Sequence, residues 1–115
     1  DARRAVRMYE QLNVPCLGII ENMSYYLCPQ CGHRDELFDH GGAESAAKEL
    51  SVPFLGEIPL NVKIRIHGDS GSPEKLFTDT PDYVTQAIQR VVSNTAGQIS
   101  IRSSLREAAP TLTVE

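Results

Sequence analysis

The sequence predicts an α/β protein with a parallel sheet, because short apolar segments alternate with segments of helical spacing. Residues 16–20 and 54–58 are short, largely apolar runs of the kind that forms buried strands in parallel sheets. Apolar residues recur with helical spacing in four other segments: residues 2–12, 43–50, 62–67 and 82–93. The predicted order is therefore helix, strand, long loop, helix, strand, helix, helix.

Turn-forming residues mark the ends of these elements. Asn13 and Pro15 end the first helix. Pro53 and Pro59 bracket the second strand. Because a proline within a central strand would remove a ladder hydrogen bond, these two residues mark the ends of the strand. Residues 69–73 (DSGSP) have the composition of a turn between the last two helices.

The predicted elements form one unit, residues 1–94, which we expect to be part of a larger domain. Within it, residues 24–42 are predicted to be an irregular loop, with a cysteine pair in its first part, residues 24–35. Residues 95–115 are rich in Ser, Thr and Ala, and they are predicted to be a disordered tail. Because two strands do not make a stable open sheet, we expect the other strands to precede Asp1.

Composition and charge exclude several classes of function. The 115 residues carry a formal net charge of −4 and no run of Lys or Arg, so nucleic acid is not an expected partner. No apolar stretch approaches the ~20 residues that a membrane-spanning helix needs. No signal-peptide pattern opens the chain, so the cytoplasm is the expected location. Three unevenly spaced cysteines do not make a disulfide scaffold.

The clearest chemical motif is the pair Cys28 and Cys31, within the segment CPQCG. Two intervening residues allow both thiolates to face one metal ion, and Gly32 relieves the backbone after the turn. One Cys-x-x-Cys supplies two ligands, whereas a structural zinc site or a [4Fe–4S] cluster needs four. The motif therefore predicts half of a metal or cluster site.

The missing ligands have several possible sources. His33, His40 and Cys16 are candidates within the chain, although the histidines are typical of exposed loops and Cys16 of a small buried residue. A second copy of the chain would supply two more thiolates across a two-fold axis. A redox pair is the competing interpretation, but thioredoxin-like pairs lie at a helix N-terminus, and this pair is predicted inside a polar loop.

A second candidate is Asn22, which follows the first predicted strand in the segment GIIENMS, residues 18–24. In parallel α/β sheets, ligands bind outside the carboxyl ends of the strands. The Asn carboxamide offers a donor and an acceptor side by side, which matches the N6/N7 edge of adenine. The alternative is an Asn that closes a turn.

Residues 14–73 closely resemble the second half of the Mrp/ApbC-type ATPases, MinD-like P-loop proteins that carry iron–sulfur clusters. The matching segments occur in the family's order: residues 14–24, 28–32, 41–42, 54–60 and 69–73. The resemblance implies the C-terminal part of a three-layer α/β/α P-loop NTPase. No Gly-rich P-loop with its Lys and Ser or Thr occurs in these residues, so we expect the phosphate-binding parts to lie upstream.

The resemblance also implies roles for particular residues. Four residues would line or read the adenine base of ATP: Asn22, Pro59, Leu60 and Asn61. Cys28 and Cys31 would bind a [4Fe–4S] cluster that bridges the two protomers of a homodimer. ATP binding and hydrolysis, with Mg²⁺, would control cluster loading and transfer to apo iron–sulfur proteins.

The functional prediction is therefore an ATP-dependent iron–sulfur cluster carrier. No catalytic residue is assigned, and these 115 residues are predicted to be inactive in ATP hydrolysis by themselves. Two alternatives remain open: a zinc-knuckle interaction module, and a non-catalytic fragment. Because Asn22 and Cys28 are six positions apart, nucleotide binding at the strand end is also expected to influence the thiolates.

Overall fold

The computed structural model describes residues 1–38 and 41–108. The elements occur in this order along the chain: α1 (Ala2–Gln11), β1 (Ile19–Glu21), β2 (Tyr25–Leu27), β3 (Arg34–Glu36), α2 (Gly42–Glu49), β4 (Phe54–Glu57), α3 (Val62–Asp69), a 3₁₀ turn (Pro73–Leu76) and α4 (Asp82–Ala108). The α/β class and each of the predicted helices and strands are present, with ends that shift by at most three residues except at the C-terminal end of the last helix.

The two apolar segments form a parallel pair, β1 beside β4, as the sequence predicted. Ile19 lies opposite Phe54 and Glu21 opposite Glu57, with an irregularity in register after Ile19. Helix α2 connects the two strands and packs against both of them, and α4 packs against β4. Because the strands are parallel, both carboxyl ends lie at the same edge of this sheet, where the hairpin described below begins.

The core lies between the parallel pair and its helices. Its buried apolar side chains come from α1, α2, β4 and α4: Val6, Ala47, Leu55, Val84, Ala87 and Val91. Helix α4 is also joined to the sheet by a polar contact, because Asn94 Nδ2 donates to the Leu55 carbonyl oxygen at 2.9 Å. These contacts fix the sheet edge on which the candidate site residues lie.

Gly18 permits a close approach of the two strands just before β1 begins. Its backbone has a φ of 154°, and a Cβ at this position would lie 2.6 Å from Leu55 Cγ and 2.6 Å from the Pro53 carbonyl oxygen. The next residue, Ile19, donates its N–H to that same carbonyl at 2.9 Å. A side chain at residue 18 would therefore push the paired strands apart.

The predicted irregular loop over residues 24–42 is wrong for its first part, which forms an antiparallel hairpin. Strands β2 and β3 pair with Tyr25 opposite Glu36 and Leu27 opposite Arg34. β3 is polar and exposed along its whole length, so it lacks the apolar alternation that identifies a strand in a sequence. The hairpin continues directly from β1 through the turn at residues 22–24.

The last helix is longer than predicted. Helix α4 has 27 residues and continues to Ala108, so residues 95–108 form a helix and not the predicted disordered tail. The Ser- and Thr-rich composition suggested disorder, but residues 95–108 contain no proline and include the good helix formers Ala, Gln, Arg and Leu. Residues 109–115, the rest of the predicted tail, lie outside the described residues.

Within residues 1–38 and 41–108, every helix is too short or too polar to cross a membrane.

Candidate functional site

Cys28 and Cys31 lie at the tip of the β2–β3 hairpin, in a tight turn closed by backbone hydrogen bonds. The Cys28 N–H donates to the His33 carbonyl at 2.9 Å, and the Gly32 N–H donates back to the Cys28 carbonyl at 2.9 Å. Gly32 has a φ of 74°, the left-handed conformation that a residue with a Cβ adopts at a cost. The segment CPQCG therefore forms the knuckle turn that its sequence predicts.

The turn lowers the pKa of the Cys28 thiol. Hydrogen bonds from the N–H of Cys31, then of Gln30, together with a bond from the Cys31 thiol and one from the N–H of Gly32, hold the pKa of the Cys28 thiol below its ordinary value. Partial burial acts in the opposite direction and is the weaker effect. N–H groups that face a sulfur stabilise the thiolate, the form that binds metals.

The lowered pKa predicts that Cys28 of the metal-free protein reacts as a thiolate at a lower pH than a free thiol does. A depressed pKa means that the thiolate persists as pH falls through the range where an ordinary thiol becomes protonated. We expect the alkylation rate of Cys28 with iodoacetamide, followed by mass spectrometry, to reach half its maximum at a lower pH than that of a single cysteine in an unstructured peptide with blocked ends. A midpoint at or above that of the free thiol would contradict the hydrogen-bonding pattern.

Two of the other candidate ligands, His33 and Cys16, lie apart from the cysteine pair. The His33 side chain is 69% exposed, and its Nε2 pairs with Asp35 Oδ1 at 3.1 Å. Cys16 precedes β1, at the opposite end of the strand from the hairpin, and its thiol lies 3.6 Å from the Gly18 carbonyl. His40 lies outside the described residues. In the part of the chain that the structure describes, no cluster of three or more His, Cys, Asp or Glu side chains is placed to hold a metal ion.

The base of the hairpin is tied to the end of β4 by one carboxylate. Ser24, which is 2% exposed, donates its hydroxyl to Glu57 Oε2 at 2.8 Å. Arg34 donates from its Nη2 to Glu57 Oε1 at 3.0 Å and also pairs with Glu36. The Arg34 guanidinium lies 3.7 Å from the ring centroid of Tyr25. Tyr25 is buried, whereas the next residue, Tyr26, is exposed.

The strand-end residues lie beside the same hairpin. Backbone bonds from Ile58 N–H to the Glu21 carbonyl and from Leu60 N–H to the Tyr25 carbonyl place residues 58–60 alongside residues 21–25. Asn22 is exposed, and its Oδ1 accepts from the Met23 N–H at 2.9 Å, so it also closes a turn. Among the residues predicted to contact adenine, Leu60 is exposed at the surface, while the Pro59 side chain is less than 2% exposed.

Asn61 has a structural role that the sequence analysis did not assign. It is the N-cap of α3, and its Oδ1 accepts from the Lys63 N–H at 2.9 Å. Its Nδ2 donates to the Tyr83 hydroxyl at 3.1 Å. The signal for this cap was present in the sequence, since Asn directly before a helical segment is a favoured N-cap.

We expect Asn61→Ala to lower the free energy of unfolding by about 1 kcal/mol, the typical cost of losing an N-cap side chain. Asn61→Asp keeps the cap oxygen and is expected to retain most of that stability. Urea denaturation of both variants and the wild-type protein measures the difference. Equal stability of Asn61→Ala and the wild type would contradict the capping role.

A cavity of about 560 Å³ separates the cysteine knuckle from the start of α3 and α4. Its walls include Cys28, Asn61, Val62 and Tyr83. The structure thus brings one of the predicted strand-end residues and one of the predicted metal ligands to the same cavity. Asn22 does not line it.

Comparison with known proteins identifies one family, and the names of the similar proteins agree with that family. The family model described as ParA, NUBPL iron-transfer P-loop NTPase, matches residues 1–96. An iron-sulfur cluster carrier protein of Methanocaldococcus jannaschii is 40% identical over 99 residues, which is 85% of this chain and 34% of that protein. A protein of the same name from Deinococcus radiodurans is 40% identical over 114 residues, covering 97% of this chain and 32% of the relative.

A solved structure is also similar. A nucleotide-binding protein from Archaeoglobus fulgidus, solved in complex with ADP, superposes with a TM-score of 0.58 at 36% sequence identity. The match covers 71% of this chain and 32% of that chain. The chain therefore spans about a third of the length of the relatives that it matches, and its fold corresponds to part of a P-loop nucleotide-binding protein.

Proposed function

Because the chain belongs to the ParA/NUBPL family of iron-transfer P-loop NTPases, we propose that it contributes Cys28 and Cys31 to the binding and delivery of an iron–sulfur cluster. The observation that supports this most is the knuckle turn, which presents two thiols at a hairpin tip. Turn N–H groups stabilise the thiolate of Cys28. Fe–S clusters are held by Cys thiolates, so the chemistry of the turn fits the cargo.

The chain offers half of the ligands that a [4Fe–4S] cluster requires. The residues described here supply two thiolates and no further clustered ligand. A second protomer related by a two-fold axis would supply the other two, so the proposal includes a homodimer with one cluster bridging its protomers. A cluster held by exposed hairpin tips is accessible to an apo iron–sulfur protein, the proposed recipient.

Nucleotide binding is the second part of the proposal. ATP with Mg²⁺ would bind to the full-length protein, with its base at the strand ends of this chain. Asn22 and Leu60 have exposed side chains for that contact, while Pro59 and Asn61 would shape the turn from below. Asn22 is the residue best suited to read the base, since its amide group offers a donor and an acceptor together.

The two sites are proposed to be coupled. The turn at residues 22–24 joins β1 directly to the hairpin, and Ser24 is bonded to the end of β4. A nucleotide that moves the strand-end turn would therefore move the cysteine pair. Coupling requires that nucleotide and cluster change each other's affinity by the same factor. The cytoplasm is the proposed location of the carrier.

The test is cluster delivery by the full-length protein. After anaerobic reconstitution with iron and sulfide, the protein is incubated with an apo [4Fe–4S] enzyme, with ATP and without nucleotide. We expect the recipient's activity to appear and to depend on the cysteine pair. A reconstituted protein that holds its cluster but never activates the recipient would contradict the carrier role.

A zinc-knuckle interaction module is the second candidate, because a Cys-Pro-x-Cys-Gly turn also suits zinc. Metal analysis of the full-length protein, purified without oxygen, separates the two. Zinc without iron or acid-labile sulfide would favour the interaction module over the carrier.

A further inference from the structure

Glu57 is the only residue of β4 with an ionisable side chain, and it lies at the carboxyl end of that strand. Its two carboxylate oxygens accept from different strands of the hairpin region. Oε2 accepts from Ser24, the residue before β2, and Oε1 accepts from Arg34, the first residue of β3. One side chain of the sheet therefore holds both arms of the hairpin that ends in the cysteine pair.

The surroundings of this carboxylate favour a fixed geometry. The Ser24 hydroxyl is buried, so losing its acceptor would leave a polar group without a partner in the interior. The Arg34 side chain is 38% exposed and is held from three directions, by Glu57, by Glu36 and by the ring of Tyr25. Hydrogen bonds with Glu36 first and Glu57 second raise the pKa of Arg34, against the opposing effect of burial. The guanidinium stays charged throughout the accessible pH range.

Contacts between the hairpin and the sheet lie at the hairpin base. The backbone bonds to the sheet involve residues 24 and 25, at the base of β2, where Tyr25 is also buried. β3 is exposed along its length, and Arg34 bonds it to Glu57 at the end of β4. Removing the carboxylate would therefore loosen the hold of the sheet on β3.

We propose that Glu57 is a positioning residue for the cluster site. Its carboxylate clamps Ser24 and Arg34 together at the hairpin base and so sets the direction in which Cys28 and Cys31 face. The inference rests on the proposed function, because the thiolates of two protomers must meet in one geometry to share a cluster. Removing a residue that holds metal ligands in their orientation typically lowers metal affinity by about 10–100-fold.

The decisive variant is Glu57→Gln in the reconstituted full-length protein, with cluster release to an iron chelator followed by visible absorption. The amide keeps the size of the side chain but loses the charge that binds Arg34. We expect release to be about tenfold faster than in the wild type. An unchanged release rate would overturn the proposal.

Two controls separate positioning from stability. Glu49→Gln removes a carboxylate that pairs with Arg3 between α2 and α1, far along the chain from the hairpin, and is expected to release its cluster at the wild-type rate. Val84→Ala truncates a side chain of α4 that has no exposed surface, and it is expected to lower stability while leaving the Glu57 carboxylate in place. If Val84→Ala released the cluster as fast as Glu57→Gln, the effect would be one of global stability, and the proposal would be wrong.

A second measurement does not depend on the cluster. In the metal-free protein, hydrogen exchange of the Cys28 amide, which is bonded to His33, should be faster in Glu57→Gln and unchanged in Glu49→Gln. If the wild-type protein acquired no cluster, the proposed function would be refuted, but hydrogen exchange would still test whether Glu57 holds the hairpin. Equal exchange of the Cys28 amide in Glu57→Gln and the wild type would overturn the positioning role of Glu57.

Discussion

Cys28→Ala in the full-length protein is expected to abolish cluster binding after anaerobic reconstitution. Each protomer supplies two thiolates in the proposed site, so the substitution removes two of the four ligands from a symmetric dimer. The remaining pair of Cys31 thiolates is too few to hold a [4Fe–4S] cluster, which binds through four. Iron and acid-labile sulfide per protomer, together with visible absorption, measure the loss.

Cys16→Ala is the matched control, since it removes a cysteine from the other end of β1. The Cys16 thiol contacts the Gly18 carbonyl at 3.6 Å, and its loss is expected to leave the cluster content unchanged. Should Cys28→Ala retain a full complement of iron and sulfide, the assignment of the ligands would be refuted. Loss of the cluster in Cys16→Ala, with a normal unfolding transition, would add Cys16 to the ligand set.

Gly18→Ala is expected to be strongly destabilising. The new Cβ would overlap Leu55 Cγ and the Pro53 carbonyl, each 2.6 Å away, at a backbone φ of 154°. Overpacking in a core costs about 1–3 kcal/mol, and an unfavourable backbone conformation adds to it, so we expect a loss near the upper end of that range. Urea denaturation of the full-length protein measures the change in the free energy of unfolding.

Gly97→Ala is the corresponding control in α4. Apart from its chain neighbours and the backbone of its own helix, no heavy atom of residues 1–38 and 41–108 lies within 4 Å of a Cβ built at Gly97, and the residue is inside a helix. The same chemical change is therefore expected to stabilise the protein, by up to about 1 kcal/mol, because alanine favours helix more than glycine does. A Gly18→Ala variant as stable as the wild type would mean that β1 and β4 are not packed as closely as described.

The parallel pair could be predicted because its strands are short, apolar and separated by a helix, and that pattern has few structural solutions. The N-cap at Asn61 was also visible in the sequence, but its resemblance to a base-binding turn drew the interpretation toward ligand binding. Its side-chain oxygen is in fact used inside the protein, by the Lys63 N–H. A polar residue at a strand end can therefore be structural even where the surrounding motif is functional.

The hairpin was not predictable from periodicity. β3 reads Arg-Asp-Glu, with every residue exposed, and is stabilised by ion pairs and by pairing with β2. The contact between Arg34 and Glu57 joins residues far apart in the chain, so no local pattern indicates it. Residues 95–108 were predicted wrongly, as part of a disordered tail, for a related reason: the segment is rich in Ser and Thr and its apolar residues follow no clear helical period, although it is helical.

The central claim is that the chain supplies half of a cluster site and that a second protomer supplies the rest. Native mass spectrometry of the full-length protein, reconstituted without oxygen, tests it most directly. We expect a dimer with one [4Fe–4S] cluster, which separates into cluster-free monomers when a chelator removes the iron. A monomer that holds a complete cluster, or a species that contains zinc alone, would contradict it.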